Sequence, residues 1–124
     1  MKHLSGLGKQ TLIALIAAGT LSAPAALLAA DPAAGAAGWT KEYPAPDGSK
    51  ARSCATCHGT DLTQPGRHVK TGKTIDPMAP SVNPQRLTDE KKVAKWLLRN
   101  CRWTLGRECS DTEKADFIAY IKTQ

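Results

Sequence analysis

Cys54-Ala55-Thr56-Cys57-His58, near the middle of the 124-residue chain, has the spacing C-x-x-C-H and decides the fold. This is the attachment signature of c-type haem. Two thiols three residues apart on one turn can each form a thioether with a haem vinyl group, and the next residue then lies beneath the iron. We therefore predict one covalent haem c with its iron, bound through Cys54 and Cys57, with His58 as the proximal axial ligand.

Two other chemistries use cysteines at this spacing. A thioredoxin-type C-x-x-C site would need a βαβ context, and the pattern around the motif contains none. A zinc site would need four thiolates, which Cys54, Cys57, Cys101 and Cys109 could supply. The adjacent histidine and the export signal described below favour haem over both.

The composition indicates a small domain that needs help to form a core. Only 5% of the residues are aromatic. Small domains bury little surface on folding, so their stability is marginal without additional support. A porphyrin would supply the missing apolar bulk. The length excludes a multidomain protein, and a doubly wound α/β enzyme would be hard to fit. We predict a mainly α fold, a small class I-like cytochrome c in which helices and long loops wrap around one covalent haem.

The first 30 residues have the pattern of a secretory signal peptide. Lys2 and Lys9 give a positive start, residues 11–28 are nearly uncharged, and Ala29 and Ala30 are small. We predict cleavage near Ala30, which would leave residues 31–124 as a monohaem cytochrome c domain in the periplasm.

Alternatives to that cleavage remain open. Leu28 is a poor residue three positions before a cut after Ala30, and Ala23-Pro24-Ala25 offers a second site. An uncleaved membrane anchor is the other interpretation, since the stretch is about long enough to span a bilayer. Pro24, Gly19 and the alanine bias argue against an anchor, so we expect membrane contact only if the signal segment is retained.

The net positive charge of the chain indicates only a preference for acidic binding partners. The net charge of +6, from 17 Lys and Arg against 11 Asp and Glu, falls to +4 without Lys2 and Lys9. This excess could help docking on an acidic redox partner. No basic motif interleaved with aromatic residues indicates nucleic-acid binding.

The helical pattern is clearest in the second half of the chain. A short helix is predicted at 32–40, a second from 89 to about 100 with Thr88 as its cap, and a third after Ser110-Asp111-Thr112-Glu113, which has the form of a capping box. A long loop, 59–83, follows the haem motif, and 101–109 is predicted to be a connection. No alternating run is long enough to indicate a sheet.

The second axial ligand decides whether the iron only passes electrons or also binds a gas. Met78 lies among prolines like a cytochrome c ligand, although a packing role is equally consistent with its place. His68 is expected to stay on the proximal side or at the surface. Cys101 and Cys109 are expected to bond to each other, because a bridge there would brace the short loop.

Asn100 is the remaining candidate. Val93, Trp96, Leu97 and Asn100 share one helix face, which puts an amide on a stripe expected to be buried. An unpaired buried amide is costly, and iron or an iron-bound gas would relieve that cost. Asparagine also commonly ends helices. The pattern alone leaves both interpretations open.

Residues 53–124 resemble the Sphaeroides haem protein (SHP) family of oxygen-binding monohaem cytochromes c. The shared blocks, in order, are Cys54-Ala-Thr-Cys57-His58-Gly59, Thr71-Gly72-Lys73-Thr74-Ile75, Ala79-Pro80-Ser81, Lys95-Trp96-Leu97-Leu98-Arg99-Asn100-Cys101, Gly106-Arg107-Glu108-Cys109 and Glu113-Lys114-Ala115-Asp116. The Arg-Asn-Cys and Gly-Arg-Glu-Cys blocks are far more specific than the haem motif alone.

The resemblance implies a set of roles. Asn100 would be the distal ligand of ferric iron and would leave on reduction, so that oxygen or nitric oxide can bind. Cys101 and Cys109 would form a disulfide that braces the distal loop, and Met78 would occupy a position where the family commonly has leucine. The redox partner would be another cytochrome, typically a dihaem c-type protein.

Two functional hypotheses follow. The first is a periplasmic cytochrome c with a labile Asn100 ligand, which binds a diatomic gas and exchanges electrons with a partner cytochrome. The alternative is an ordinary electron carrier with His58 and Met78 as axial ligands. No catalytic set of side chains is evident, so any enzymatic activity, such as the nitric oxide oxidation suggested for the family, would belong to the iron.

Overall fold

The computed structural model describes residues 29–124, a range that contains four helices and one two-stranded sheet. The predicted signal peptide lies almost wholly outside these residues. In chain order the elements are α1 (Pro32–Thr40), α2 (Ala55–His58), β1 (Gly66–Arg67), β2 (Thr74–Ile75), α3 (Glu90–Leu105) and α4 (Asp111–Lys122). None of the helices between residues 29 and 124 is long and apolar enough to cross a membrane.

Helix α1 forms where the sequence predicts it and packs against α4. The Asp31 side chain accepts a hydrogen bond from the Ala33 amide at 2.8 Å and so caps the first turn. Trp39 meets Phe117 of α4 edge to face, with ring centroids 6.5 Å apart. The Trp39 indole also donates to the Gly59 carbonyl at 2.9 Å. One tryptophan therefore links both terminal helices to the end of the haem motif.

Helix α3 is longer than predicted, and the cap assigned to Thr88 is wrong. Asp89 is the cap, since its side chain accepts from the Lys92 amide at 3.0 Å. The helix continues through Cys101 to Leu105, because Cys101 and other residues on this last part are buried in the core. It ends at Gly106, which has the left-handed φ of 73° that suits glycine.

The capping box of α4 is confirmed. The Ser110 hydroxyl accepts from the Glu113 amide at 3.1 Å, and the Glu113 carboxylate accepts from the Ser110 amide at 2.8 Å. Arg107 forms two further hydrogen bonds of 2.8 Å with the same carboxylate. The helix buries Phe117 and Ile121 on its inner face.

The long loop after α2 contains the small sheet. Strands β1 and β2 are antiparallel, with Gly66 opposite Ile75, and two residues each are too few to give an alternating pattern in the sequence. Leu62 is completely buried, and its carbonyl accepts from the Ala79 amide at 2.9 Å. The loop is therefore tied to the core rather than free.

Candidate haem-binding site

A mostly apolar cavity of about 670 Å³ lies between the helices. The haem-motif turn, α3, α4 and the segment around β2 all contribute to its walls. Cavities of this size and character hold small-molecule ligands and cofactors in proteins.

His58 lines this cavity from the end of α2. Its ring lies 5.6 Å from the Trp39 ring, and its Nδ1 atom is buried without a hydrogen-bond partner among residues 29–124. Burial, aided by the positive charge of Arg86, lowers the pKa of His58 to about 4. The imidazole is therefore neutral near pH 7, which is the form that binds metals.

Cys54 and Cys57 lie on the same turn and also line the cavity. Both are half-buried free thiols, and the Cys57 amide donates to the Cys54 carbonyl at 3.3 Å. Burial raises the pKa of Cys54 to about 11. Reactive thiols of the thioredoxin type have a lowered pKa instead, so the environment argues against thiol redox chemistry.

Cys101 and Cys109 lie apart from that pair, at disulfide-bonding distance from each other, with Cα atoms 5.6 Å apart. Both are buried in the core. Within residues 29–124 no group of three or more His, Cys, Asp or Glu side chains is arranged to hold a metal ion. The four cysteines of the described range therefore form two separate pairs and not a four-thiolate zinc site.

Asn100 lines the cavity from α3, together with Val93, Trp96 and Leu97. Because α3 runs on to Leu105, the suggestion that Asn100 merely ends this helix is wrong. Its side-chain amide makes no hydrogen bond to any residue in the described range of 29–124. The expectation that this helix face is buried is wrong, because Asn100 and Trp96 are exposed and Val93 and Leu97 are half-buried. The face borders the cavity instead of packing into the hydrophobic core. The Asn100 amide therefore has hydrogen-bonding capacity available towards the cavity.

Met78 and His68 reach the cavity as well. Met78 is half-buried and packs against the core. His68 is half-buried, 5.7 Å from the Trp103 ring, and its Nδ1 accepts from the amides of Lys70 and Thr71 at 3.3 Å. The structure places His68 on the cavity wall, not free at the surface, with one nitrogen already engaged.

Comparison with known proteins identifies the family. A family profile described as "Domain of unknown function (DUF1924)" matches residues 25–121. The cytochrome c-type protein SHP of Cereibacter sphaeroides is 51% identical over 72 residues, which are 58% of this chain and 55% of that protein. Cytochrome c'' of Methylophilus methylotrophus is 41% identical over 86 residues, 69% of this chain and 59% of that protein. The matches thus span less than two thirds of these two relatives.

Similar solved structures come from the same two proteins, SHP and cytochrome c''. Oxidised SHP, described as an oxygen-binding cytochrome c, is 44% identical with a TM-score of 0.70, and the match covers 77% of this chain and 83% of that one. The chain belongs to the family of SHP and cytochrome c''. A solution structure of cytochrome c'' from M. methylotrophus, concerned with haem-ligand detachment, is 39% identical with a TM-score of 0.63 and covers 73% of this chain and 72% of that one. The predicted fold class and the family resemblance are both confirmed.

The residues of this cytochrome fit the cofactor that the family implies, a covalently bound haem c with its iron. Two free thiols and one neutral imidazole from a single turn line one cavity. Its apolar walls suit a porphyrin, and the buried Nδ1 atom of half-buried His58 has no hydrogen bond to residues 29–124 that would have to be broken.

Sequence reasoning missed two arginines that shape this site in the cytochrome. Arg52 is buried, and its guanidinium stacks on the Trp103 ring at 3.9 Å. Arg86 donates to the carbonyls of Asp76 and Pro77, at 2.7 and 2.8 Å, and so fixes the segment that carries Met78. No local spacing could have revealed Arg52, because its aromatic partner lies about fifty residues further along the chain.

Proposed function

We propose that this cytochrome is an exported monohaem protein in which Cys54 and Cys57 form the thioethers and His58 is the proximal ligand. The common position of all three on one cavity wall supports this assignment. The haem, when bound, supplies an iron that exchanges an electron and accepts a small ligand. The neutral His58 ring provides the permanent nitrogen donor.

Asn100 is proposed as the labile distal ligand. The observation that carries this proposal is its place inside α3, on the cavity wall and without a hydrogen bond in the described chain. An amide oxygen is a hard, weak donor that suits ferric iron better than ferrous iron. Asn100 would therefore withdraw on reduction and leave room for oxygen or nitric oxide.

The relatives support the same mode of action. SHP is described as an oxygen-binding cytochrome c, and the cytochrome c'' structure concerns detachment of a haem ligand. The proposal includes a Cys101–Cys109 disulfide, which suits the oxidising periplasm. It also includes electron exchange with a partner cytochrome, for which a dihaem c-type protein is the expectation from the family.

An ordinary electron carrier with His58 and Met78 as ligands is the second candidate, because the Met78 side chain also lines the cavity. Such a carrier would keep both faces of the iron bound in each oxidation state. The two candidates therefore differ in whether reduction opens a coordination position.

Carbon monoxide binding to the reduced protein separates them. We expect the ferrous wild type and the Met78→Leu variant to show the same spectral shift with carbon monoxide. Asn100→Ala should keep that shift and raise the affinity of the ferric form for added imidazole by about tenfold or more, since the internal competitor is gone. If the ferrous wild type did not bind carbon monoxide and only the Met78→Leu variant did, the protein would be an electron carrier with His58 and Met78 as axial ligands.

A further inference from the structure

A long-range hydrogen bond holds the first residue of the folded domain. The backbone nitrogen of Asp31 donates to Asp116 Oδ1 at 2.7 Å, across 85 positions of sequence. Asp116 lies on α4 and is only 9% exposed. Asp31 is the residue that caps α1.

Asp116 has no cationic partner in the described chain. None of the ion pairs formed within residues 29–124 includes it. Buried carboxylates are normally paired with a cation, because removing an ionised group from water is costly. Within residues 29–124, the main-chain amide of Asp31 is the one hydrogen-bond donor to this carboxylate.

The other charged groups around Asp116 do not supply the missing cation. Lys41, Tyr43 and Glu113 line a small cavity of about 210 Å³ beside it. Lys41 is exposed and outside ion-pair distance, and Glu113 is engaged with Arg107. The carboxylate of Asp31 is itself occupied by the Ala33 amide.

Close packing fixes the start of α1 against Asp116. A methyl group at Gly35 would collide with the Asp116 carbonyl oxygen and would lie 2.8 Å from Tyr120 Cβ. This contact holds α1 close to the turn of α4 that carries Asp116. Ala29 and Ala30, by contrast, are exposed.

We propose that the peptide bond between Ala30 and Asp31 is the export processing site, and that the α-ammonium group freed at Asp31 forms an ion pair with Asp116. Hydrolysis by a signal peptidase adds one water across this bond, which gives a carboxylate on Ala30 and an amine on Asp31. That amine is protonated at neutral pH, since α-amino groups have a pKa of about 7.7–8.0. The inference rests on the export that the proposed function includes, but not on its assignment of Asn100.

Processing at this bond would replace the neutral amide donor of this hydrogen bond with a cationic one, so that both partners are charged and form an ion pair. A cut after Ala25 would leave Asp31 with an ordinary amide nitrogen. The buried carboxylate thus distinguishes between the two cleavage sites that the sequence leaves open.

The first test is the amino-terminal sequence and intact mass of the haem protein recovered from the periplasm of producing cells. We expect Asp31 as the first residue. A chain that begins at Ala26, at Ala30 or at Met1 would overturn the processing site.

The second test measures the ion pair. Asp116→Asn is made in the haem protein beginning at Asp31 and in a matched form that retains Ala29 and Ala30. We expect the substitution to lower the melting temperature more in the protein beginning at Asp31, with the excess lost as pH rises through the pKa of the terminal amine. Equal losses in both would show that Asp116 only caps α1, and would contradict the ion pair.

The wild-type terminal amine gives a measurement that survives if the variants do not fold. Titration followed by NMR should place its pKa above the ordinary range, because the adjacent carboxylate stabilises the charged form. An amine with an ordinary pKa would contradict the pair. These results do not depend on carbon monoxide binding, so they can fail separately from the assignment of Asn100.

Discussion

Gly66 fixes the position of the haem-motif turn from outside the motif. A methyl group added there would collide with the Cys57 carbonyl oxygen and would lie 3.0 Å from His58 Cα. The residue does not have a positive φ, so contact rather than backbone conformation explains glycine at this position.

Gly66→Ala is therefore expected to destabilise the protein by about 1–3 kcal/mol, as overpacking of a close contact does. The fraction of protein recovered with covalent haem should also fall, because the turn that presents both thiols must move. Thermal unfolding and the haem-to-protein absorbance ratio measure the two effects.

Gly48→Ala is the matched control. Gly48 has a φ of 71° and no atom within 4 Å of an added Cβ, so its substitution introduces backbone strain without a collision. We expect Gly48→Ala to lower stability while leaving haem attachment unchanged. Equal haem contents in the two variants would refute the role given to Gly66.

Some residues of the site could be predicted from the sequence and others could not. The spacing of Cys54 and His58 names the haem motif directly, and helical periodicity places Asn100 on the face that lines the cavity. Gly66 and Arg52 carry no such signal, since each acts on neighbours that only the folded chain brings close.

Among the elements, α4 depends on the interactions that begin it. Glu113 closes the capping box with Ser110 and pairs with Arg107, and these contacts lower the pKa of its carboxyl to about 2, the Arg107 hydrogen bond having the largest effect. A carboxyl whose pKa falls on folding stabilises the protein above its unfolded pKa, and this stabilisation is lost as pH falls through the folded value.

Glu113→Gln is expected to cost about 1 kcal/mol at pH 7, the usual size of a capping contribution. The difference between wild type and variant should shrink as pH falls from about 4.5 towards about 2. Denaturant unfolding across this pH range measures it. Asp111→Asn is the control, because Asp111 is fully exposed and its pair with Lys114 should contribute little. A difference that does not change with pH would contradict the ionic origin.

Element ends were less predictable than the elements themselves. The sequence locates α1 and the capping box of α4, where local residues decide the structure. It stops α3 too early, since the last turn depends on burial of Cys101 in the core. Local patterns do not contain that tertiary contribution.

For the whole molecule, the cavity is large relative to the core that surrounds it. The buried hydrophobic residues within 29–124 are few: Trp39, Ala45, Leu62, Ala79, Cys101, Cys109, Phe117 and Ile121. A domain of this size buries only about 60–70% of the surface of its unfolded chain. A bound porphyrin would therefore form part of the core.

A Cys54→Ser/Cys57→Ser double variant, which cannot form thioethers, is expected to lose cooperative thermal unfolding and its near-ultraviolet circular dichroism. The reason is that the apolar walls of a cavity of about 670 Å³ would face water. Met78→Leu serves as the control and should retain both signals. A double variant that melts cooperatively at the wild-type temperature would show that the protein folds independently of haem.

The mainly helical class and the need for haem follow from the sequence, whereas the packing of α1 on α4 does not. The alanines and glycines of α1 form no apolar stripe that would indicate which helix packs against it. The contact is set by Trp39 against Phe117 and by the close fit of Gly35, which only the three-dimensional structure reveals.

The position of Cys101 and Cys109 bears on how fast Asn100 could leave the iron. Cys101 directly follows Asn100, and the proposed disulfide with buried Cys109 would anchor the main chain of that helical turn. Exchange of Asn100 would then require rotation about side-chain bonds only, which is much faster than displacement of a loop. The opening rate of such a site would be set by the strength of one metal–oxygen bond, not by the speed of backbone rearrangement.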